Sequence, residues 1–297
     1  MSDPHSRTAA GAKPRHVGKI GIWSLELRFG EPAATIAAVS ELEELGFAAV
    51  WIPGGVGGDV MGDVARLLDA TQALTIGTGI LNIYKHEPAE VGAWWHRRSQ
   101  ADRQRLMLGL GVSHGPLIGE QYRRPMGAME SYLDGLDAAA VPRESRCLAA
   151  LGPRMLELAR RRTAGAHPYL VTPEHTAKAR EILGPGALLA PEQGVILETD
   201  PSTARQMARG ALGHYLHLPN YLNNWRRLGF SEEDVTQVTD RLVDGLFAWG
   251  TPEQIAARVR EHLSAGADQV CVQVVHSQAS TMQAPREEWR SLASVLL

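Results

Sequence analysis

Two histidines and an asparagine stand where this chain could do proton chemistry. His86 lies in the run QALTIGTGILNIYKHEP at residues 72–88, which also carries Asn82 and Tyr84, and His114 lies in GLGVSHG at 109–115. A loop imidazole exchanges protons near neutral pH, so either histidine can serve as a general acid or base. The 11 histidines nowhere take up HExxH or another tight ligand spacing, which argues against a zincin-type metal site. GxSxG, a P-loop and a nearby Ser/His/Asp constellation are missing too, leaving nucleophilic and nucleoside-triphosphate chemistry without support. His217 and His262 fall on predicted helices and read as surface or packing residues.

Anion binding has its own signals. Gly111, Val112 and Ser113 are small or short residues at a strand end, where backbone N–H groups are open to a ligand. In LGPRMLELA (151–159), Arg154 sits in the first turn of a predicted helix, an environment that favours a phosphate, although a solvated arginine explains it equally well. TAGAH (163–167) adds a second small-residue turn. Together the two turns would make a phosphate cradle.

These residues need a scaffold that gathers them. After residues 1–16, read as a disordered tail, short apolar runs alternate with amphipathic helices in one domain over 17–297. KIGIWS (19–24), FAAVWIP (47–53), the run from 74 to 83, RLMLGLGV (105–112), SRCLAAL (145–151), AHPYLV (166–171), EQGVILET (192–199) and ADQVCVQVV (267–275) read as eight strands. Helices are predicted between them, among them 89–104, 130–139, 153–163 and 172–184, the last with Thr172 as N-cap. About 50 residues of helical pattern separate the seventh strand from the eighth, with a capping-box start at Ser231. Eight alternations are the sequence form of an α/β (β/α)₈ TIM-like barrel with a helical insertion. WSLELRFGEP after the first strand contains no GxGxxG, which weakens a classical dinucleotide fold. In a barrel the active site lies at the C-terminal ends of the strands. That selects Trp23, Glu26, Trp51, Gly54, Gly55, Asn82, Tyr84, His86, Ser113, His114, Gly152, Arg154, His167 and Tyr169. Gly77 and Gly79 interrupt the third strand, which fits either a close backbone approach or a plain kink where the strand ends.

Composition narrows the partners. A net charge of −3 from interspersed signs argues against a nucleic-acid or acidic-membrane surface, and the arginine clusters at 97–98 and 160–162 read as solvated helix faces. Cys147 and Cys271 lie in apolar strand-like runs and read as small buried hydrophobes, consistent with a reducing cytoplasm. No apolar run approaches the roughly 20 residues a membrane span needs.

The ordered segments TGILNIYKHEP, LGLGVSHGP with YRRPMGAMESYLDGL, AALGPRMLELA, GAHPYLVTPEHTAKARE, LPNYLNNWRRLGF and AGADQVCVQV resemble the luciferase-like monooxygenase superfamily, in its actinobacterial branch of F420-dependent oxidoreductases. The resemblance runs from about Lys19 to Val275. It implies an enzyme that moves hydride between the deazaflavin F420 and a small organic substrate, in a cytoplasmic homodimer. An FMN-dependent monooxygenase using oxygen is the alternative, and a cofactor-binding barrel without turnover a further one. The resemblance implies a non-proline cis peptide at Gly79–Ile80 behind the ring, Asn82 hydrogen-bonding near it, and Trp23 and Trp51 walling the pocket. It places the phosphate at Gly111, Val112, Ser113, Gly165 and Ala166, flanked by Arg154 and Met155, and gives proton transfer to His114 or His86. Relatives carry an acid after the second-strand WxP, where this chain has Gly54. That leaves the proton donor open. In ADRQRL, Gln104 replaces a turn glycine. Tyr221 and Trp225 in the insertion either cover the site or pack in a core.

Overall fold

The computed structural model describes residues 17–55, 57–277 and 281–297. The expected N-terminal tail, 1–16, lies outside them. Apolar runs become short parallel strands because both faces are covered, by barrel interior on one side and helices on the other. In chain order they are β1 (Ile20–Trp23), β2 (Ala49–Ile52), β3 (Thr75–Thr78), β4 (Leu81–Asn82), β5 (Leu106–Gly111), β6 (Arg146–Leu148), β7 (Gly165–Ala166), β8 (Leu188–Leu189), β9 (Glu192–Ile196), β10 (Phe247–Trp249) and β11 (Val270–Val274). The order across the sheet is β10-β9-β11-β1-β2-β3-β5-β6-β7-β8, with β4 also on β5. Only Ala190 and Pro191 separate β8, at one end of that order, from β9, next to β10 at the other, so the chain itself closes the sheet. Ala190 N donates to Ala166 O at 2.9 Å on one flank, and Cys271 N donates to Pro191 O at 2.8 Å on the other. The parallel sheet thus curls into an eight-membered TIM-like barrel in which β8 and β9 act as the seventh stave.

Most predicted elements form where the pattern puts them, and the differences have local causes. The helix expected over 89–104 divides into Pro88–Arg97 and Gln100–Gln104, because Ser99 turns out of the first and caps the second through Asp102 N. The sixth strand is only Gly165–Ala166, ending just ahead of Pro168, and the seventh begins earlier than expected, at Leu188. Within the insertion, Phe247–Trp249 pairs with β9 as an added strand. The insertion is otherwise helical: Pro201–Leu212, Pro219–Arg227, Glu232–Gln237 and Asp240–Leu246, with the capping box at Ser231 present. His217 lies in a turn rather than on a helix, whereas His262 is on Pro252–Ser264, buried and hydrogen-bonded to Thr176 and Gln193.

The two glycines of β3 and its exit are both places of close approach. A Cβ on Gly77 would stand 2.5 Å from the indole of Trp51, which fills the barrel interior beside it. A Cβ on Gly79 would collide with Trp23 Nε1. The Gly79–Ile80 peptide is cis. The barrel and its helices share one large apolar cluster, and the insertion builds a second around Leu212, Trp225, Leu242 and Phe247. Cys147 and Cys271 are buried in strands, and the 160–162 arginines pair with Glu157, Asp134 and Asp137 on helix surfaces. No helix among the described residues is long and apolar enough to cross a membrane.

Candidate functional site

A cavity of about 960 Å³ opens at the C-terminal ends of the strands, between the barrel mouth and the insertion. Barrel residues make its floor: Trp23 from β1, Gly79 and Ile80 past β3, Gly111, Val112, Ser113 and His114 at the end of β5, His167 and Tyr169 past β7, and Gln273 from β11. The insertion supplies the roof, with Tyr215, Asn220, Tyr221 and Arg227 reaching over the mouth.

The floor's strand-end residues are held by buried contacts. His167 stacks on Trp51 with ring centroids 4.2 Å apart and planes 10° apart. Its Nδ1–H donates to Ala190 O at 2.6 Å, leaving Nε2 as an unpartnered acceptor, and burial pulls its pKa from 6.5 to about 4, so the ring is neutral. Trp23 Nε1 is a second buried polar atom without a partner on the same side of Gly79. One layer up, just past the ends of the neighbouring strands β1 and β11, Glu26 and His276 face each other. His276 Nε2 donates to Glu26 Oε1 at 3.1 Å, and Ser24 Oγ donates to Glu26 Oε2 at 2.6 Å. Both side chains are less than a tenth exposed, yet both residues line the cavity. With Nε2 bound to the carboxylate, Nδ1 is the ring nitrogen left to accept a proton.

Across the mouth, β6 leads through Gly152 into the helix Pro153–Arg162. Gly152 offers no side-chain cap, Pro153 has no N–H and Met155 N donates to Gly152 O at 3.1 Å, so Arg154 N is the first-turn amide without a protein partner among the described residues, and Arg227 Nη2 would lie 3.6 Å from a Cβ at Gly152. Helix dipole and guanidinium act together there, as an anion site requires. Among the described lining residues, Arg227 and Glu26 are the arginine and the carboxylate of the cavity, and β6, which leads to Gly152 beside Arg227, lies across the barrel order from β1, which leads to Glu26.

Of the residues expected at the site, Trp23, Glu26, Gly55, Gly79, Ile80, Gly111, Val112, Ser113, His114, Gly152, Met155, His167 and Tyr169 line the cavity. The others lie elsewhere. Trp51 is fully buried beneath the floor, its Nε1 donating to Gln269 Oε1 at 2.9 Å, so it supports the site instead of walling it. Asn82 is buried in β4 and its Oδ1 accepts from Tyr84 N, turning it to its own loop. His86 is half-buried outside the cavity, with its pKa lowered by burial and then by Arg28. Gly165 and Ala166 are interior strand residues, with no room for a ligand: a Cβ on Gly165 would collide with Leu188 O. Arg154 is exposed on the helix flank, and Arg227 occupies the position by Gly152 instead. His114 keeps its place; burial and then His217 lower its pKa, and Asn220 Nδ2 lies 3.5 Å from its Nδ1.

The glycine after WIP also has a reason. A Cβ on Gly54 would stand 2.5 Å from Ile80 O and 2.8 Å from its carbon, so the chain leaving β3 excludes any side chain there. His276 was discoverable from sequence, because it directly follows the eighth strand. Tyr215 and Arg227 had no such marker.

The parallel barrel, with its strand-end cavity roofed by an insertion ahead of the last strand, matches a TIM-like, luciferase-like barrel. In sequence, residues 16–146 match the family model described as luciferase-like monooxygenase. No curated protein matches it. Among solved structures, an F420-dependent secondary alcohol dehydrogenase in complex with an F420-acetone adduct is similar at TM-score 0.71 and 14% identity, covering 94% of this chain and 98% of that one. The coenzyme F420-dependent tetrahydromethanopterin reductase of Methanopyrus kandleri matches at TM-score 0.69 and 17% identity, with coverages of 94% and 98%. The oxygenating constituent of a type II Baeyer–Villiger monooxygenase, 3,6-diketocamphane monooxygenase of Pseudomonas putida in complex with FMN, matches at TM-score 0.64 and 12% identity, with coverages of 93% and 96%. At these identities the likeness establishes the fold. A flavin-type or deazaflavin-type cofactor is the chemistry that this set of enzymes shares.

Proposed function

We propose that the chain is an F420-dependent oxidoreductase interconverting an alcohol and a ketone. The observation that carries this reading is the buried Glu26–His276 pair on the cavity wall, because oxidising an alcohol requires a residue to take its hydroxyl proton. Bound F420 would supply hydride acceptance at the C5 carbon of its ring. The residues present fit that group. Gly79 and Gly111 let Trp23 and Ile80 pack against the floor backbone, Trp23, Ile80, Val112 and Met155 offer apolar surface, and Arg227 with the start of Pro153–Arg162 can hold a phosphate.

His276 Nδ1 takes the hydroxyl proton as the carbinol hydrogen leaves with its electron pair, and the alcohol becomes a ketone. Glu26 orients the imidazole and stabilises the resulting imidazolium, while Ser24 fixes the carboxylate. The reverse reaction returns that proton to the oxygen. Tyr215 and Tyr221 overhang the cavity and exclude water. His114 faces the roof at Tyr221 and Asn220, which makes it a cover residue.

The match to luciferase-like monooxygenases and the FMN-bound neighbour favour a second reading, an FMN-dependent monooxygenase. Equilibrium titration with F420 and with FMN, followed by addition of secondary alcohols, separates the two. Tight F420 binding with loss of deazaflavin absorbance on adding alcohol is the expected result. Selective FMN binding with oxygen consumption would replace the first reading by the second.

A further inference from the structure

Three glutamines project from the barrel strands or their starts, and one of them is left half satisfied. Gln269 accepts from Trp51 at Oε1 and donates through Nε2 to Val17 O at 2.5 Å. Gln193 accepts from His262 at Oε1 and donates through Nε2 to Gly194 O at 2.8 Å and Leu246 O at 3.0 Å. Gln273 is different. Its Oε1 accepts from Tyr169 Oη at 2.8 Å, and Tyr169 Oη in turn accepts from Tyr215 Oη at 3.3 Å. Its Nε2 has no partner among the described residues, although Gln273, Tyr169 and Tyr215 all line the cavity.

The direction of this chain matters. Tyr169 Oη accepts from Tyr215, so its own proton goes to the Gln273 amide oxygen, and this run of donors uses up the oxygen end and leaves the NH₂ end to the cavity. Burial raises the Tyr169 hydroxyl well above its ordinary pKa, which keeps it a donor. Gln273 also sits next to the reaction end: Val272 of β11 pairs with Ile22 of β1, and the same two strands lead on to His276 and Glu26.

We propose that Gln273 is a specificity-determining donor for a neutral carbonyl oxygen in this cavity, and that Tyr169 is the positioning residue that keeps its amide oxygen turned away. The carbonyl belongs either to the cofactor ring or to a ketone substrate, and the inference rests on the proposed function only for which of these is present. An open amide donor in a largely apolar wall favours an oxygen acceptor over a hydrocarbon of the same shape, because the hydrocarbon leaves the donor unpaired.

The test uses the full chain and three variants: Gln273→Glu, which keeps an acceptor for Tyr169 and removes the NH₂; Tyr169→Phe; and the double variant. One arm measures the Kd of F420 and FMN by fluorescence quenching. The other measures cyclohexanone against cyclohexane by intrinsic tryptophan fluorescence, with and without cofactor. Gln273→Glu should weaken one arm's carbonyl ligand about tenfold and Tyr169→Phe about threefold, with cyclohexane unchanged. The double variant should match Gln273→Glu alone, because Tyr169 acts through Gln273. Unchanged carbonyl binding in both arms, or effects of the two substitutions that simply add, would overturn the inference. If neither cofactor binds but cyclohexanone is still preferred through Gln273, the inference stands and the proposed function falls. If cofactor binds with no dependence on Gln273 in either arm, the function stands and the inference falls.

Discussion

The floor and the roof of the cavity are built from different physics. On the floor, strand register sets every position: Trp23 pairs with Trp51 and Trp51 with Gly77, and polar atoms are tied to backbone or to one another except at the points that face ligand. The roof belongs to the insertion, whose own apolar cluster holds Trp225 at its centre while Tyr215, Tyr221 and Arg227 lean outward from its edge. The two parts are joined, since Phe247–Trp249 pairs with β9 and Trp225 Nε1 donates to Leu170 O. Under the proposed function, chemistry falls to the floor and the grip on a cofactor's charged end to the roof.

The sharpest way to break that division is to remove the floor's proton acceptor. Glu26→Gln and His276→Gln should each lower the rate of hydride transfer by about 100- to 10,000-fold with cofactor Kd nearly unchanged, read by single-turnover absorbance. A parallel loss of cofactor binding would move the pair out of catalysis. Gly54→Asp, which places an acid directly after the second strand, should gain no activity and should lose about 1–3 kcal/mol of stability by urea unfolding, because Ile80 O occupies the space.

Buried titratable groups of the floor and its surrounding helices predict a stability optimum. Burial raises Glu192 from 4.5 to about 8, so through that window the unfolded chain releases a proton that the folded chain keeps, and stability falls as pH rises. Burial lowers His167 and His175 from 6.5 to about 4 and His262 to about 3, so below 6.5 the unfolded chain binds protons that the folded chain refuses, and stability falls as pH falls. Three histidines outweigh one glutamate on the acid side. Urea midpoints should peak near pH 6.5, the ordinary pKa of histidine. Glu192→Gln should flatten the alkaline limb, a slope of about 1 kcal/mol per pH unit, and steepen the acid limb above pH 4.5, where Glu192 otherwise offsets part of the histidine effect.

The smallest effect belongs to the roof. Arg227→Met should weaken F420 binding about tenfold by the same titration, while Arg154→Met changes it less than about twofold. Equal losses would erase the distinction between the two arginines.

Sequence alone reached the floor and missed most of the roof, for a physical reason. A strand of known order ends at a known side of the barrel, so Trp23, Gly79, Gly111, Ser113, His167 and Tyr169 could be placed at the mouth from period and order. Side chains alternate within a strand, however, and a two-residue strand such as Gly165–Ala166 has too little pattern to show which way it faces; those two residues and Trp51 turned out to be interior. Arg227 approaches Gly152 only because the insertion folds back across the mouth, a tertiary contact between residues 75 apart in the chain that no local pattern carries. The Glu26–His276 contact, spanning 250 residues, needs the barrel to close before it exists.

A crystal structure of the protein with F420 bound tests the division most directly. The predicted result has the cofactor phosphate between Arg227 and the start of Pro153–Arg162, and the ring over Gly79 and Ile80 with Glu26 and His276 beside its reacting edge. A phosphate held away from Arg227, or a ring turned from the Glu26–His276 pair, would contradict it.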